Sequence, residues 1–156
     1  MNNLPAMMKA MEAYLSPAII ASAQRCSARL LAALPDKQPE NNRVLLAYGG
    51  GKDSSYMVAY VRYIQGLIWQ QQGTTFHLRV STNRHAAMNQ SVMDNIHRVY
   101  QSLAMHDDER VTCLVVDGLL IRPFARDLPM PDSVREQNRN DVLMNGHRFR
   151  ADARST

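Results

Sequence analysis

Hydrophobic residues recur at helical spacing in three parts of the chain. Apolar side chains three or four positions apart predict a helix over residues 7–34. Ser16-Pro17 divides this helix in two, because serine caps helices and proline suits a first helical position. The same spacing predicts helices over residues 54–72 and 88–103, and Gly73 is placed to end the first of these. A helical layer is therefore expected around whatever strands lie between them.

The segments between these helices are typical of strands. Residues 44–48 (VLLAY) form an apolar run that predicts a strand buried on both faces. Residues 74–81 alternate apolar and polar side chains, which predicts a strand with one more polar face. A third strand is predicted over residues 111–116 and ends at Asp117-Gly118, and residues 119–124 (LLIRPF) are compatible with a short fourth strand.

The order of these elements predicts the fold class. Helices and strands alternate, which implies parallel strands joined by right-handed crossovers and hence an α/β fold. We expect a three-layer, Rossmann-like parallel sheet flanked by helices, with residues 1–42 as an N-terminal helical segment and linker and residues 43–156 as the sheet domain. Ligands bind at the carboxyl ends of such strands, so the loops 49–55, 81–85 and 117–122 are the candidates for a site.

Charge and composition add limits to this fold. The chain has 156 residues, 46% of them hydrophobic, and a formal net charge of +4. Residues 133–144 are compatible with a polar helix, and the final residues look poorly ordered. Acidic residues interrupt the arginine cluster of this region, so a solvated face is favoured there over an anionic-substrate or RNA site; the cluster consists of Arg135, Arg139, Arg148, Arg150 and Arg154.

Targeting signals are not evident in the sequence. No apolar run approaches the ~20 residues needed to cross a bilayer, and the first residues lack the pattern of a secretory signal. The only two cysteines, Cys26 and Cys113, are far apart and outside any CxxC motif, so a reducing cytoplasm is the expected location. Membrane association is not expected. The lone histidines His77, His97 and His106 lack metal-ligand spacing and are interpreted as surface residues.

The segment GGGKDSS, residues 49–55, carries the strongest chemical signal. Glycines permit positive φ and let backbone N–H groups approach an anion, and the new helix adds the positive end of its dipole. Ser54 and Ser55 can cap that helix or donate to phosphate oxygens. Lys52 supplies a cation that can reach a phosphate. Asp53 would repel a bare phosphate, which indicates either Mg²⁺ or a role in orienting the loop.

The spacing of this loop excludes two common phosphate motifs. A Walker A loop requires its leading glycine where Leu46 stands, and a GxGxxG motif requires its third glycine at Ser54. The segment instead resembles the pyrophosphatase loop (PP-loop), SGGxDS, of the adenine nucleotide alpha-hydrolase (HUP-type) superfamily. Gly49 replaces the first serine, and the remaining positions match through Ser54. A glycine turn that merely joins strand to helix would explain the glycines but not the KDSS that follows.

The resemblance implies an ATP pyrophosphatase. Such enzymes cleave ATP between the α- and β-phosphates and adenylate a substrate. A nitrogen or sulfur nucleophile then displaces AMP from the adenylated substrate. It implies catalytic roles for Lys52, Asp53 and Ser54, with ATP and Mg²⁺ as cofactors and Asp53 as the magnesium ligand. The residues implied in nucleotide binding are Tyr48, Gly49, Gly50, Gly51, Ser54 and Ser55, with Ser81 and Asn83 placed to line the adenine or ribose.

The acceptor substrate is not identified by the sequence. Arg84, Asp117 and Arg122 are candidate substrate contacts, although Asp117 can equally make the Asp-Gly turn, and Thr82 or Asn83 can simply cap the following helix. The acceptor is a small molecule or a tRNA. Thiolation by cysteines of the chain is disfavoured because Cys113 is expected to lie in a strand of the core.

A non-catalytic function is also compatible with the sequence. The chain could be an ATP-binding subunit or sensor that acts with a partner chain, since 156 residues leave little room for the substrate domain that PP-loop enzymes often append. A homodimer, a partner subunit or a continuation of the chain beyond residue 156 would supply it. Residues 145–152 (NGHRFRAD) are similar to the later GHxxDD-type segment of these enzymes, but the spacing departs from it and a polar turn is preferred.

Overall fold

Helices and strands alternate along residues 3–132, which are the residues that this computed structural model describes. Their order is α1 (Leu4–Glu12), α2 (Pro17–Ala33), a short 3₁₀ turn (Pro39–Asn41), β1 (Arg43–Ala47), α3 (Lys52–Gln72), β2 (His77–Asn83), α4 (Gln90–Ser102), β3 (Val111–Asp117) and β4 (Leu120–Pro123). The predicted polar helix over 133–144, the poorly ordered end and the segment 145–152 lie outside the described residues. None of the described helices is long and apolar enough to span a bilayer.

Local signals set the helix boundaries. The Ser16 hydroxyl accepts a hydrogen bond from the Ile19 amide at 3.2 Å, and Pro17 opens α2, so the predicted division is confirmed. Gly73 ends α3 in the left-handed region, at φ 73°, as predicted. Helix α1 begins at Leu4, three residues before the predicted start.

The strands form one four-stranded sheet in the order β1-β2-β3-β4. The first three strands are parallel, and β4 pairs antiparallel with β3 through a turn in which Gly118 has φ 61°. The prediction of an α/β fold with flanking helices is confirmed, and the sheet is mostly parallel where a parallel sheet was predicted. The possible strand at residues 119–124 is confirmed as β4, but it is the antiparallel arm of a hairpin.

One face of the sheet packs on the hydrophobic core. Leu78, Val80 and Val115 on this face are fully buried together with side chains of α3 and α4. Helices α1 and α2 pack in turn on α3. The fit between α1 and α3 is close, because a Cβ built on Gly66 would lie 2.5 Å from the Met8 sulfur.

The opposite face of the sheet, called the open face below, has no fully buried side chain. Strand pairing assigns its residues: Arg43, Leu45 and Ala47 of β1, His77, Arg79, Ser81 and Asn83 of β2, Thr112, Leu114 and Val116 of β3, and Ile121 and Pro123 of β4. Their side chains are exposed or half-buried. Within residues 3–132, the third layer of the predicted sandwich is therefore not seen on this face.

The prediction that β1 is buried on both faces is wrong. β1 is an edge strand that pairs only with β2 among the described strands, and Leu45 is 68% exposed on the open face. Tyr56 and Met57, apolar residues in the first turns of α3, are also about half exposed, at 50% and 49%. Apolar side chains are thus exposed near the end of the sheet where the glycine loop lies.

Residues 35–42, which follow α2 and form the linker of the predicted segment 1–42, are held by specific hydrogen bonds. Asn42 is buried, and its side-chain amide donates to the carbonyl oxygens of Asp36 and Gln38 at 3.0 and 3.1 Å. Its carbonyl oxygen Oδ1 accepts from the Asp36 amide at 3.0 Å. One asparagine side chain thus closes the turn that leads the chain into β1.

Candidate functional site

The glycine loop, residues 48–55, leaves the carboxyl end of β1 and enters α3. The Tyr48 amide continues the parallel pairing by donating to the Ser81 carbonyl at 2.8 Å. The Tyr48 ring is buried, and its hydroxyl lies 2.6 Å from the Ser55 hydroxyl. Burial raises the pKa of the Tyr48 phenol, which therefore stays protonated at neutral pH. Tyr48 thus ties the two ends of the loop together.

Gly50 is the position at which the loop needs a glycine. Its φ is +83°, and a Cβ there would lie 2.7 Å from Cγ1 of Val92 on α4. The Asn95 side-chain amide, also on α4, donates to the Gly50 carbonyl at 3.0 Å. Gly49 differs, because a Cβ built on it meets no atom within 4 Å. The serine of the SGGxDS pattern would therefore fit at Gly49.

The two serine hydroxyls point back into the loop. Ser54 and Ser55 each donate to the Gly51 carbonyl, at 3.2 and 2.7 Å. They do not cap α3, and its N-cap residue Gly51 makes no side-chain cap. The first amides of a helix have no acceptor within it, so those of Lys52 and Asp53 remain available to a ligand.

The charged side chains of the loop are solvent-exposed. Gly49, Gly51, Lys52 and Asp53 all lie at the surface, so an anion can reach the amides from outside. Among residues 3–132, no cluster of three or more His, Cys, Asp or Glu side chains could by itself hold a metal ion. A magnesium ion at Asp53 would therefore take most of its ligands from phosphate and water, as Mg²⁺ commonly does.

Ser81 and Asn83 lie beside the loop at the end of β2. Both belong to the open face, and Ser81 also contributes the carbonyl that accepts from Tyr48. The alternative that Thr82 or Asn83 caps the next helix is wrong, because Asn89 caps α4 by accepting from the Ser91 amide at 3.1 Å. The side chains of Ser81 and Asn83 are not used for helix capping and remain candidate contacts.

The three predicted substrate residues form one ion cluster. The buried Asp117 carboxylate accepts two hydrogen bonds from Arg84, at 2.9 and 2.8 Å, and one from Arg122 at 2.7 Å. Burial of Asp117 opposes its ionisation, but the bonds from the two arginines outweigh this and lower its pKa. Arg84 also donates to the Leu128 carbonyl. The cluster fastens the β2–α4 loop to the segment after β4.

A cavity of about 510 Å³ adjoins this cluster. Arg84, His85 and Gln90 line one side of it, and residues 127–130 line the other. It lies at the carboxyl edge of the sheet, where ligands of α/β proteins bind.

Cys113 lies on the core face rather than in this cavity, and burial raises the pKa of its thiol to about 12, so it is a poor nucleophile.

Sequence reasoning missed two sets of polar residues. Asn95 holds Gly50 from another helix. Arg62, fully buried in α3, donates to the carbonyls of Leu103 and Ala104 and forms a 2.8 Å ion pair with Asp108. An arginine within the mostly apolar stretch 56–69 of α3 was the available signal for the second set.

No protein-family model, curated protein or solved structure matches the chain. The functional interpretation therefore depends on the geometry of the glycine loop and on its resemblance to the PP-loop.

Proposed function

We propose that the chain is a PP-loop protein that binds ATP at residues 48–55 and cleaves it between the α- and β-phosphates to adenylate an acceptor. The observation that carries this proposal is the loop itself: it is exposed, it lies between the carboxyl end of β1 and the uncapped start of α3, and Gly50 holds a left-handed conformation. The fold assignment that goes with it is the Rossmann-like class of the adenine nucleotide alpha-hydrolases.

The loop would act on the leaving pyrophosphate. Its free amides and the Lys52 ammonium group would hold the β- and γ-phosphates, where negative charge increases as the acceptor oxygen attacks the α-phosphorus. The Asp53 carboxylate is the hard oxygen ligand of the loop that suits Mg²⁺, which when bound would neutralise part of the polyphosphate charge. Ser81 and Asn83 would contact the nucleoside. The adenylated acceptor then reacts with a nitrogen or sulfur nucleophile and releases AMP.

A second candidate, an ATP-binding subunit without turnover, is favoured by one detail of the loop. Gly49 removes the hydroxyl of the PP-loop pattern, and the hydroxyls of Ser54 and Ser55 are already bonded to Gly51. In this arrangement the loop offers amides to phosphate but no free serine hydroxyl. Such a subunit would hold ATP for a partner chain that supplies the acceptor site.

A product assay tests the proposal. The protein is incubated with ATP and Mg²⁺, candidate acceptors are added in turn, and AMP, ADP and pyrophosphate are separated by chromatography. We expect AMP and pyrophosphate in equal amounts. ADP as the product would contradict α–β cleavage, and saturable ATP binding without any product would favour the non-catalytic subunit.

A matched pair of variants locates the chemistry. We expect Asp53→Ala to suppress pyrophosphate release by roughly 10²-fold without lowering the melting temperature, because Asp53 is exposed. Asp107→Ala removes another exposed carboxylate, away from the loop, and serves as the control. Equal rates in the two variants would remove Asp53 from the mechanism.

A further inference from the structure

The open face of the sheet has an unusual composition for a surface. It carries the exposed cations Arg43 and Arg79, the apolar side chains of Leu45, Leu114, Val116 and Ile121, and no acidic residue. Within residues 3–132, neither Arg43 nor Arg79 pairs with a carboxylate. The face is therefore both cationic and apolar, and its charge is not balanced by the described part of the chain.

The position of this face in the fold implies that it is covered. Parallel sheets occur almost only where both faces are buried, and here Leu45 and Ile121 are 68% and 61% exposed. Four strands about 4.8 Å apart make a surface roughly 15 Å wide, which accommodates one helix about 10 Å in diameter. One added helix would bury the apolar residues of β3 and β4 while its flank lies over β1 and β2.

Charge identifies which kind of helix fits. Arg43 and Arg79 lie on neighbouring strands, two positions apart in register, because Arg43 pairs with His77 and Leu45 pairs with Arg79. Burial and the nearby charges of Arg79 and Arg43 lower the pKa of His77, which lies between them and contacts the Thr112 hydroxyl at 2.7 Å. A helix with carboxylates along the flank that meets β1 and β2 would pair with the two guanidinium groups.

None of the four helices within residues 3–132 is such a helix. Each of the four helices within residues 3–132 contains at most one acidic residue, which disfavours a second copy as the occupant. The segment 133–156 has five arginines and three acidic residues, so its net charge has the same sign as the face. A nucleic acid is also disfavoured, because the open face carries no Phe, Tyr or Trp on which bases could stack, and its one imidazole, His77, is hydrogen-bonded to Thr112.

We propose that the open face binds an acidic amphipathic helix of a partner chain. The apolar stripe of that helix lies on Leu114, Val116 and Ile121. Its flank covers Leu45, and the carboxylates of the flank pair with Arg43 and Arg79. This proposal does not depend on ATP binding, since none of the arginines and apolar residues that it uses is among the residues proposed to bind ATP.

A designed peptide provides the probe. A fluorescent helix of about 18 residues, with leucines on one face and glutamates on the other, is titrated with the full chain and followed by anisotropy. A matched peptide has lysine at every glutamate position. We expect the acidic peptide to bind at least about tenfold more tightly than the lysine peptide, and its affinity to fall as salt is raised.

Four variants then map the binding to the face. Arg79→Glu and Leu45→Asp should each weaken binding of the acidic peptide about tenfold or more. Arg29→Glu, on an exposed position of α2, and Leu119→Asp, on the exposed tip of the β3–β4 turn, are the matched controls and should change it less than about twofold. Circular dichroism confirms that each variant is folded.

Several results would overturn the proposal. Equal binding of the two peptides, or equal effects of the face and control variants, would show that the face does not select an acidic helix. Tighter binding of poly(U) than of the acidic peptide would assign the face to RNA. Self-association that Leu45→Asp abolishes, measured by sedimentation, would make a second copy the occupant.

Discussion

The Asn95 side-chain amide lies 3.0 Å from the Gly50 carbonyl oxygen, so helix α4 holds the glycine loop by its backbone. The same helix presses on the loop from the side, since Val92 and Ile96 fill the space where a Gly50 side chain would stand. The loop is therefore shaped by a helix that follows the next strand as well as by its own glycines. This contact makes the geometry of the candidate site sensitive to a residue far away in sequence.

Replacing Asn95 should loosen the loop without unfolding the protein. Asn95→Ala removes one hydrogen bond worth about 0.5–1.5 kcal/mol, so we expect ATP binding to weaken roughly 2–10-fold. Gln101→Ala, an exposed amide on the same helix, is the control. Titration calorimetry with ATP and Mg²⁺ measures both. An unchanged affinity in Asn95→Ala would show that the hydrogen bond from Asn95 to Gly50 does not shape the nucleotide site.

Two adjacent glycines should respond in opposite ways to the same substitution. Gly50→Ser forces a side chain into a left-handed backbone at φ +83° and into Val92, at a cost of about 2 kcal/mol or more. Gly49→Ser meets open space and restores the hydroxyl of the PP-loop pattern. We expect a fall of about 4–8 °C in melting temperature for Gly50→Ser and less than about 1 °C for Gly49→Ser.

The Gly49→Ser variant also tests ATP binding. If the loop is a PP-loop, Gly49→Ser should bind ATP at least as tightly as the unmodified chain, because it adds a donor beside the free amides. A large loss of affinity in this variant, with the fold intact, would count against phosphate binding at this position. Differential scanning fluorimetry and ATP titration on the same samples provide both readouts.

Most of the fold could be predicted because its signals are local. Ser16-Pro17, Gly73 and the alternation over residues 76–80 each act through neighbouring residues, and the structure has the corresponding element at each place. The position of β1 in the sheet could not be predicted, because an apolar run such as VLLAY is compatible with both a central and an edge strand. Only pairing across the whole sheet determines that Leu45 is exposed.

The candidate site also has one part that could be predicted from the sequence and one part that could not. The glycine loop could be predicted because its glycines, lysine and serines are contiguous in sequence. Its anchor could not, since Asn95 is 45 positions from Gly50 and meets it only through packing of α4. Arg84, Asp117 and Arg122 were singled out separately at strand ends, and only the structure joins them as one ion cluster. Spacing along the chain carries no information on such pairings.

The ion pair between Arg62 and Asp108 should be essential for stability. Both side chains are almost fully buried, and Arg62 also satisfies the carbonyls of Leu103 and Ala104 at the end of α4. Arg62→Met leaves those carbonyls without their donor and removes one of the two arginines that pair with the buried Asp108 carboxylate, so we expect a loss of about 3–5 kcal/mol. Arg29→Met, on the exposed side of α2, should change stability by less than about 0.5 kcal/mol. Urea unfolding followed by circular dichroism measures the difference.

Asp108 should also make the protein sensitive to acid over a defined range. Burial opposes its ionisation, but hydrogen bonds from Arg110 and Arg62 outweigh this and lower its pKa to about 2, from an unfolded value near 3.9. As the pH falls, Asp108 therefore takes up a proton at a higher pH in the unfolded chain than in the folded protein. The stabilisation from Asp108 is complete above about pH 4 and is lost between about pH 4 and pH 2.

The expected loss over this range is roughly 2 kcal/mol, since one pKa unit corresponds to about 1.4 kcal/mol. Free energies of unfolding measured in urea between pH 2 and pH 5 should show it as a slope that Asp108→Asn reduces. Asp107→Asn, which changes the exposed neighbouring carboxylate, should keep the full slope. Part of the slope should persist in Asp108→Asn, because Arg84 and Arg122 lower the pKa of Asp117 in the same direction. Identical profiles for the two variants would mean that Asp108 is not held ionised by Arg62 and Arg110.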